Sequence, residues 1–275
     1  MNTEYKSKPW LAVLLNVFAP GLGFVYLNQL ALAVANILFF PILLLFAGRS
    51  SVIFSALGFF LVTTLLICAW FASLVVVFQL ARRRPLAERG LFQRWYALLL
   101  LGMAVNAAIQ FCSARRGELF GYDVFNVPGA SMETTLLVGD KFIANTLAFQ
   151  NHNPQRGDVV VLQNPAKPEF KYVKRIVGLP GEQVDLHDNK LFINGKAIPD
   201  AHSFYDLNKS VPISEQPYIV PPDSYFVLGD NRNNSLDSRH FGPVPREKIY
   251  AQAEMVWFSF GIDSLRMNRI GLAIK

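Results

Sequence analysis

Lys190-Leu191-Phe192-Ile193-Asn194-Gly195-Lys196-Ala197-Ile198 decides the fold of the second half of this chain. Asn-Gly between two alternating apolar runs is the strongest short-range hairpin signal, because a type I′ turn needs positive φ at both central residues. Working outward, Asp158–Leu162, Tyr172–Val177, Gln183–Leu186 and Tyr225–Leu228 also read as short strands. Turn signals bound them at Arg156-Gly157-Asp158, Leu179-Pro180-Gly181 and Leu228-Gly229-Asp230. No helix-period stretch of normal length competes after Phe125. The spacing predicts a mainly-β domain, multi-sheet or barrel-like.

The first half is different. The chain has 275 residues, 52% of them hydrophobic, but charge is nearly absent from Pro9 to Leu80. A helix needs roughly 20 mostly apolar residues to cross a bilayer core. Trp10–Tyr26, Leu30–Phe46, Val52–Leu80 and Trp95–Cys112 reach or approach that length, and the third reads as one long tilted helix. Apolar character through three further segments argues against a cleavable signal peptide at the first. The expected organisation is a multi-span membrane domain over 1–116 and an extracytoplasmic domain over 117–275.

The net charge of +6 could serve nucleic acid or an anionic lipid surface. The densest basic cluster, Arg82-Arg83-Arg84, directly follows an apolar run, which is the positive-inside pattern of a membrane protein. No aromatic-rich basic motif marks a nucleic-acid surface. Together with Arg89 and Arg94, the cluster makes that connection cytoplasmic. One further crossing puts residues after Gly117 outside. Counting back through three spans puts the N-terminus outside as well, against the preference of Lys6 and Lys8. Two readings stay open: an outward N-terminus, or a first segment made re-entrant or irregular by Ala19-Pro20-Gly21-Leu22-Gly23.

Cys68 and Cys112 both lie in apolar runs, so the second half contains no internal disulfide. His152, His187, His202 and His240 show no paired metal-ligand spacing, and no metal or cofactor is implied. Ser235, Asp237 and His240 lie too close on one loop to converge as a triad.

Two other residues suggest chemistry. Ser131 sits in the turn-like Val127-Pro128-Gly129-Ala130-Ser131-Met132, and Lys174 in the strand-like Lys171–Val177. A serine becomes a nucleophile when a base takes its proton, and a lysine can do so if it is kept neutral. Tyr172, Val173, Ile176 and Val177 offer the apolar setting that lowers a lysine pKa. Taken alone, Lys174 reads as a solvent-facing strand lysine and Ser131 as a turn residue or helix N-cap. The polar stretch Leu228–Gly242 adds weight, as a solvated loop or as a shell that fixes the base through an ion pair such as Asp237 with Arg239.

VPGASMETTLLVGD (127–140), RGDVVVLQNP (156–165), YVKRIVGLPGE (172–182) and GDNRNNSLDSRHFGPVP (229–245) resemble the four ordered boxes of bacterial type I signal peptidases. The resemblance covers nearly all of Phe125–Lys275. It implies a signal-peptidase-like β fold and a membrane-bound serine endopeptidase that removes signal peptides from exported preproteins. Ser131 then resembles the nucleophile and Lys174 the general base. Ser235 matches the serine that orients the lysine amine, Asp237 and Arg239 a supporting ion pair, and Asp230, Asn231 and Arg232 the shaping of their loop. Val127 and Val173 match walls of shallow pockets for small side chains, and Met132 and Leu136, apolar neighbours of the nucleophile, are expected to bind substrate with them.

The resemblance also implies an inner-membrane location with the catalytic domain periplasmic or external, and the lipid bilayer and preproteins as partners. The multi-span N-terminal half departs from the one or two anchoring spans usual in the family. Thr134 stands where proline is common. Gly129 stands where many members carry a hydroxyl that helps the oxyanion hole. Two rival classes remain: a Ser–Lys protease dedicated to one partner, such as a pilus or conjugation component, and a non-catalytic membrane scaffold.

Overall fold

The computed structural model describes residues 7–83, 90–164, 170–187, 189–205 and 217–275. Lys6, Arg84 and Arg89, which enter the charge pattern above, lie outside the described residues. The chain divides into a helical unit, through Phe120, and a β unit from Gly121 onward, which also takes in Phe54–Ala56.

The helical unit contains α1 (Pro9–Phe18), α2 (Leu22–Tyr26), α3 (Leu30–Arg49), α4 (Ala56–Arg83), α5 (Trp95–Ala114) and α6 (Arg116–Phe120). Three of these, α3, α4 and α5, are long and apolar enough to cross a membrane. Their large apolar side chains point outward, among them Phe46, Leu57 and Leu100. Such faces are at ease only in an apolar surrounding. The stretch Trp10–Tyr26 is broken as its Ala-Pro-Gly suggested: α1 ends at Phe18, and Gly21 adopts φ 87° ahead of α2. Neither piece reaches the roughly 20 residues that a span requires.

What holds this broken pair is a set of buried polar contacts. Asn16 donates to Ser73 Oγ of α4 at 3.1 Å and accepts from the Gly21 amide at 2.9 Å, so the amide freed by the break has a partner. Gly23 lies so close to the Ala12 carbonyl that a side chain there would collide with it. At one end of the unit, Ser7 Oγ donates to the Ala81 carbonyl at 2.5 Å, and the Lys8 amide to Tyr26 OH at 3.2 Å. Gln93 donates to the Val25 carbonyl at 3.2 Å. The start of α1, the end of α2, the end of α4 and the approach to α5 therefore share that end.

The β unit has strands β1 (Tyr122–Asn126), β2 (Asp140–Asn145), β3 (Val159–Gln163), β4 (Lys171–Gly178), β5 (Gln183–His187), β6 (Lys190–Ile193), β7 (Lys196–Ile198), β8 (Tyr218–Ile219), β9 (Ser224–Leu228), β10 (Val244–Pro245) and β11 (Ile249–Ser259). A four-residue helix, α7 (Ser238–Phe241), precedes β10. The larger sheet is antiparallel in the order β1-β2-β11-β3-β4-β9-β10, and the smaller in the order β7-β6-β5-β8. The predicted hairpin is β6–β7, with Asn194 and Gly195 at φ 51° and 75° and Ile193 opposite Lys196. The mainly-β expectation holds. β1, β2, β8, β10 and β11 were not among the strands read from sequence.

Burial explains the pairing. Val159 and Val161 of β3 face one core with Phe142, Ala144, Ala251 and Ala253, whereas Val160 and Leu162 face a second with Ile176, Tyr225 and Val227. Successive strand residues point to opposite faces, so both sides of this sheet are packed. A third core, containing Val184, Leu191, Val220, Phe226 and Leu228, joins the small sheet to the large one. Register shifts in β11, between Ile249 and Ala251, Ala253 and Met255, and Val256 and Phe258, bend the large sheet. The bend is strong enough that Lys171 of β4 lies 5.2 Å from the Phe125 ring of β1, three strands away from direct pairing.

Candidate active site

The curl brings the turn after β1 over the middle of β4. Ser131 lies in a single 3₁₀ turn, Ala130–Met132, held down by Met132, which is 1% exposed in the first core. Two backbone bonds fix the flanks of this segment: the Val127 amide to the Asp140 carbonyl at 2.9 Å, and the Leu136 amide to the Met132 carbonyl at 2.8 Å. From the other side, the Asn231 amide donates to the Ser131 carbonyl at 3.2 Å.

Lys174 is paired with Val160 of β3 and its side chain runs inward, 3% exposed. Its Nζ lies 2.9 Å from Ser131 Oγ and 2.9 Å from the Val173 carbonyl. Burial is the main reason that the amine is pushed down from 10.5 to about 8. The negative charges of Asp237 and Asp230 oppose the shift, and Arg239 assists it. The solvent-facing reading of Lys174 is thereby excluded.

The loop after β9 supports this pair through two buried ion pairs. Asp237, fully buried, accepts from Arg239 Nε at 2.8 Å and from the Gly229 amide at 3.0 Å. Its own burial favours the neutral acid, but the bonds and charge of Arg239 outweigh it and hold the carboxyl below the ordinary range. Asp230 is gripped by Arg175, whose Nε and Nη2 each donate to one carboxylate oxygen at 2.8 Å. Thr135 Oγ1 donates to the same carboxylate at 2.5 Å. Arg232, 1% exposed, bonds the Gly229 carbonyl at 3.0 Å and pairs with Asp200 at 2.6 Å. Asn231 is linked to Ser131 through its backbone amide.

The other expected residues fall into two groups. Val173 is half-buried beside the lysine and Val127 is 7% exposed, both bordering the first core. Met132 and Leu136, expected as neighbours that border substrate, are 1% and 0% exposed. Their apolar side chains pack in the first core, together with Val127. Ser235 Oγ is buried, close enough to Asp237 to help keep that carboxyl ionised. Among the described residues it has no partner at ordinary hydrogen-bond geometry, and the amine bonds Ser131 and Val173 instead. A side chain at Gly229 would overlap both Ser235 and the Ser131 carbonyl, which explains the glycine.

Sequence reasoning missed Arg175, Thr135, Asp140 and Arg269. Arg175 had no role of its own in the strand read over Lys171–Val177. Its signal was present in the 171–177 strand, where both faces turn out to be covered. No group of three or more potential metal ligands occurs among the described residues.

A serine hydroxyl 2.9 Å from a buried lysine amine of lowered pKa is the arrangement of a serine hydrolase of the Ser–Lys type. Comparison with known proteins agrees. Residues 97–258 match the family described as signal peptidase, peptidase S26. A probable signal peptidase I-2 of Synechocystis is 38% identical over 46% of this chain and 59% of its own length. The signal peptidase I P of Bacillus subtilis subsp. natto is 31% identical, covering 64% of this chain and 96% of that one. A signal peptidase I of Leptolyngbya laminosa is 37% identical over 64% and 83% respectively. The chain belongs to the signal peptidase family, peptidase S26, and is a serine endopeptidase.

Proposed function

We propose that this endopeptidase is a signal peptidase I that cuts signal peptides from exported preproteins after small residues, in an Ala-X-Ala-like pattern, with Ser131 as nucleophile and Lys174 as general base. The observation that carries the reading is the 2.9 Å contact between Lys174 Nζ and Ser131 Oγ inside a buried site. Neutral Lys174 takes the Ser131 proton as Oγ attacks the scissile carbonyl. The proton passes to the departing amine as the C–N bond breaks, leaving an acyl-enzyme. Lys174 then takes a proton from water, whose oxygen attacks the ester, and returns it to Ser131 Oγ as the ester bond breaks. Val127 and Val173, which pack together beside the pair, are the walls this reading assigns to the pockets for small side chains. Family membership and the names of the relatives favour this over a partner-dedicated protease or a scaffold.

The membrane arrangement follows from the helical unit. Arg82 and Arg83 end α4 at the same end of the unit as Ser7, Lys8 and Tyr26, which supports a cytoplasmic location for all of them. The α1–α2 pair then enters and returns without crossing, while α3, α4 and α5 cross. Three crossings reconcile an inward Lys8 with an external catalytic domain, and the inner (cytoplasmic) membrane of a bacterium is the setting that fits. Exported preproteins and the lipid bilayer are the partners.

The test compares wild type, Ser131→Ala and Lys174→Ala on a preprotein with an Ala-X-Ala site, with the membrane domain present. Cleavage by wild type and loss in both variants supports the reading; equal cleavage by all three overturns it.

A further inference from the structure

The segment after β11 has no place in the chemistry described so far, yet it reaches the nucleophile's turn. Its backbone is sewn to β11: the Arg266 amide donates to the Ser259 carbonyl at 3.0 Å, and the Gly271 amide to the Val256 carbonyl at 2.8 Å. The Ile274 amide donates to the Glu254 carbonyl at 2.8 Å. From this fixed base Arg269 extends a fork in two directions. Nε and Nη2 hold Asp140, with the shortest contact 2.6 Å, and Nη2 also donates to the Thr135 carbonyl at 2.8 Å.

Both partners govern the serine. Asp140 is fully buried, accepts from Ser259 Oγ at 2.6 Å and the Leu137 amide at 2.9 Å, and offers its carbonyl to Val127. It thus fastens the chain on both sides of Ser131. Thr135 uses its hydroxyl to hold Asp230, whose neighbour Asn231 holds the Ser131 carbonyl. Arg269 sits where the two branches meet. Only a planar fork with several fixed donors can serve the carboxylate and the carbonyl together; a lysine presents a single point charge.

We propose that Arg269 is a positioning residue for Ser131, through which the C-terminal segment clasps the turn that carries the nucleophile. This rests on the Ser131–Lys174 reading above. Losing the clasp leaves the cleft and the lysine's surroundings in place but lets the serine drift from its line of attack.

The experiment uses the full-length protein in membranes or detergent, with wild type and Ser131→Ala alongside. Arg269→Gln lowers kcat by about tenfold or more while KM stays within about twofold, because misplacement taxes the reacting geometry and spares binding. The midpoint of its pH–rate profile stays that of wild type. Arg269→Lys keeps a charge opposite Asp140 and recovers melting temperature without recovering kcat. Deuterium exchange over residues 130–138 is faster in both variants, with exchange over β3 unchanged. Recovery of kcat together with melting temperature in Arg269→Lys overturns the proposal, as does a kcat within twofold of wild type in Arg269→Gln. If wild type cuts nothing, the peptidase reading fails by itself, and exchange over 130–138 still decides whether Arg269 clasps the turn.

Discussion

Arg175 and Asp230 form a buried, bidentate ion pair, 3% and 0% exposed, one residue along β4 from Lys174. Arg175 follows Lys174 in β4, so the proposed base is tied through its neighbour to the loop after β9. The pair also takes in the Thr135 hydroxyl and the Gly157 carbonyl, leaving few unsatisfied groups.

Removing one partner of such a pair strands the other charge in the core. Arg175→Met is expected to cost about 3–5 kcal/mol of stability. Denaturant unfolding of the protein checks this, and a loss below about 1 kcal/mol is the typical worth of an exposed pair.

The second prediction concerns pH. Lys174 is a base only when neutral, and burial brings its amine down to about 8. Cleavage rate should therefore rise with pH through a midpoint near 8 and be lost as pH falls below it. A pH–rate profile of kcat with a midpoint near the ordinary lysine value of about 10.4 contradicts this.

The same shift has a stability sign. Folding lowers the lysine pKa, so between about 8 and 10.5 the unfolded chain binds the extra proton and stability rises with pH. Below that window the penalty is fully present, on the order of 3 kcal/mol. Lys174→Met should be inactive yet more stable than wild type at pH 7, with the gain shrinking towards pH 10.5. Melting temperatures of both proteins at pH 7 and pH 10 measure it.

Gly129 has extended backbone, φ −133°, and an added Cβ would meet nothing within 4 Å. A hydroxyl fits there without strain. One oxyanion donor is worth roughly a hundred- to a thousandfold in well-studied hydrolases. Gly129→Ser is expected to raise kcat, by about tenfold if its geometry is less than ideal. Steady-state kinetics on one preprotein decide it, and an unchanged kcat means that the site already has its full complement of donors.

Membrane sidedness is open to labelling. With Cys68 and Cys112 changed to serine, a cysteine at Asn2 should react with an impermeant maleimide only in inside-out vesicles, and one at Ile262 only in the opposite orientation. Ile262 is 99% exposed. Labelling of both from one side excludes three crossings.

Much of the β unit was legible in sequence because its signals are local. Asn194-Gly195 sets a turn within two residues, and the Val-rich run of β3 is the continuous apolar pattern of a strand buried on both faces. β11 was not, although it is the longest strand: Gln252 and Glu254 dilute its apolar character, and its role is to bridge β2 and β3 across the sheet. The break at Ala19-Pro20-Gly21 was visible too, but not the Ser7–Ala81 contact that shows where the broken pair returns.

By itself, the sequence determined the hairpin and the apolar helices and, through four ordered boxes, pointed to Ser131 and Lys174 as the proposed pair. Only the tertiary structure decided that Lys174 is buried and weakened, because burial comes from strands far apart in the chain that the curl of one sheet brings together. It also decided which charges pair. Arg175 with Asp230 and Arg269 with Asp140 are separated by 55 and 129 residues, beyond the reach of any local pattern.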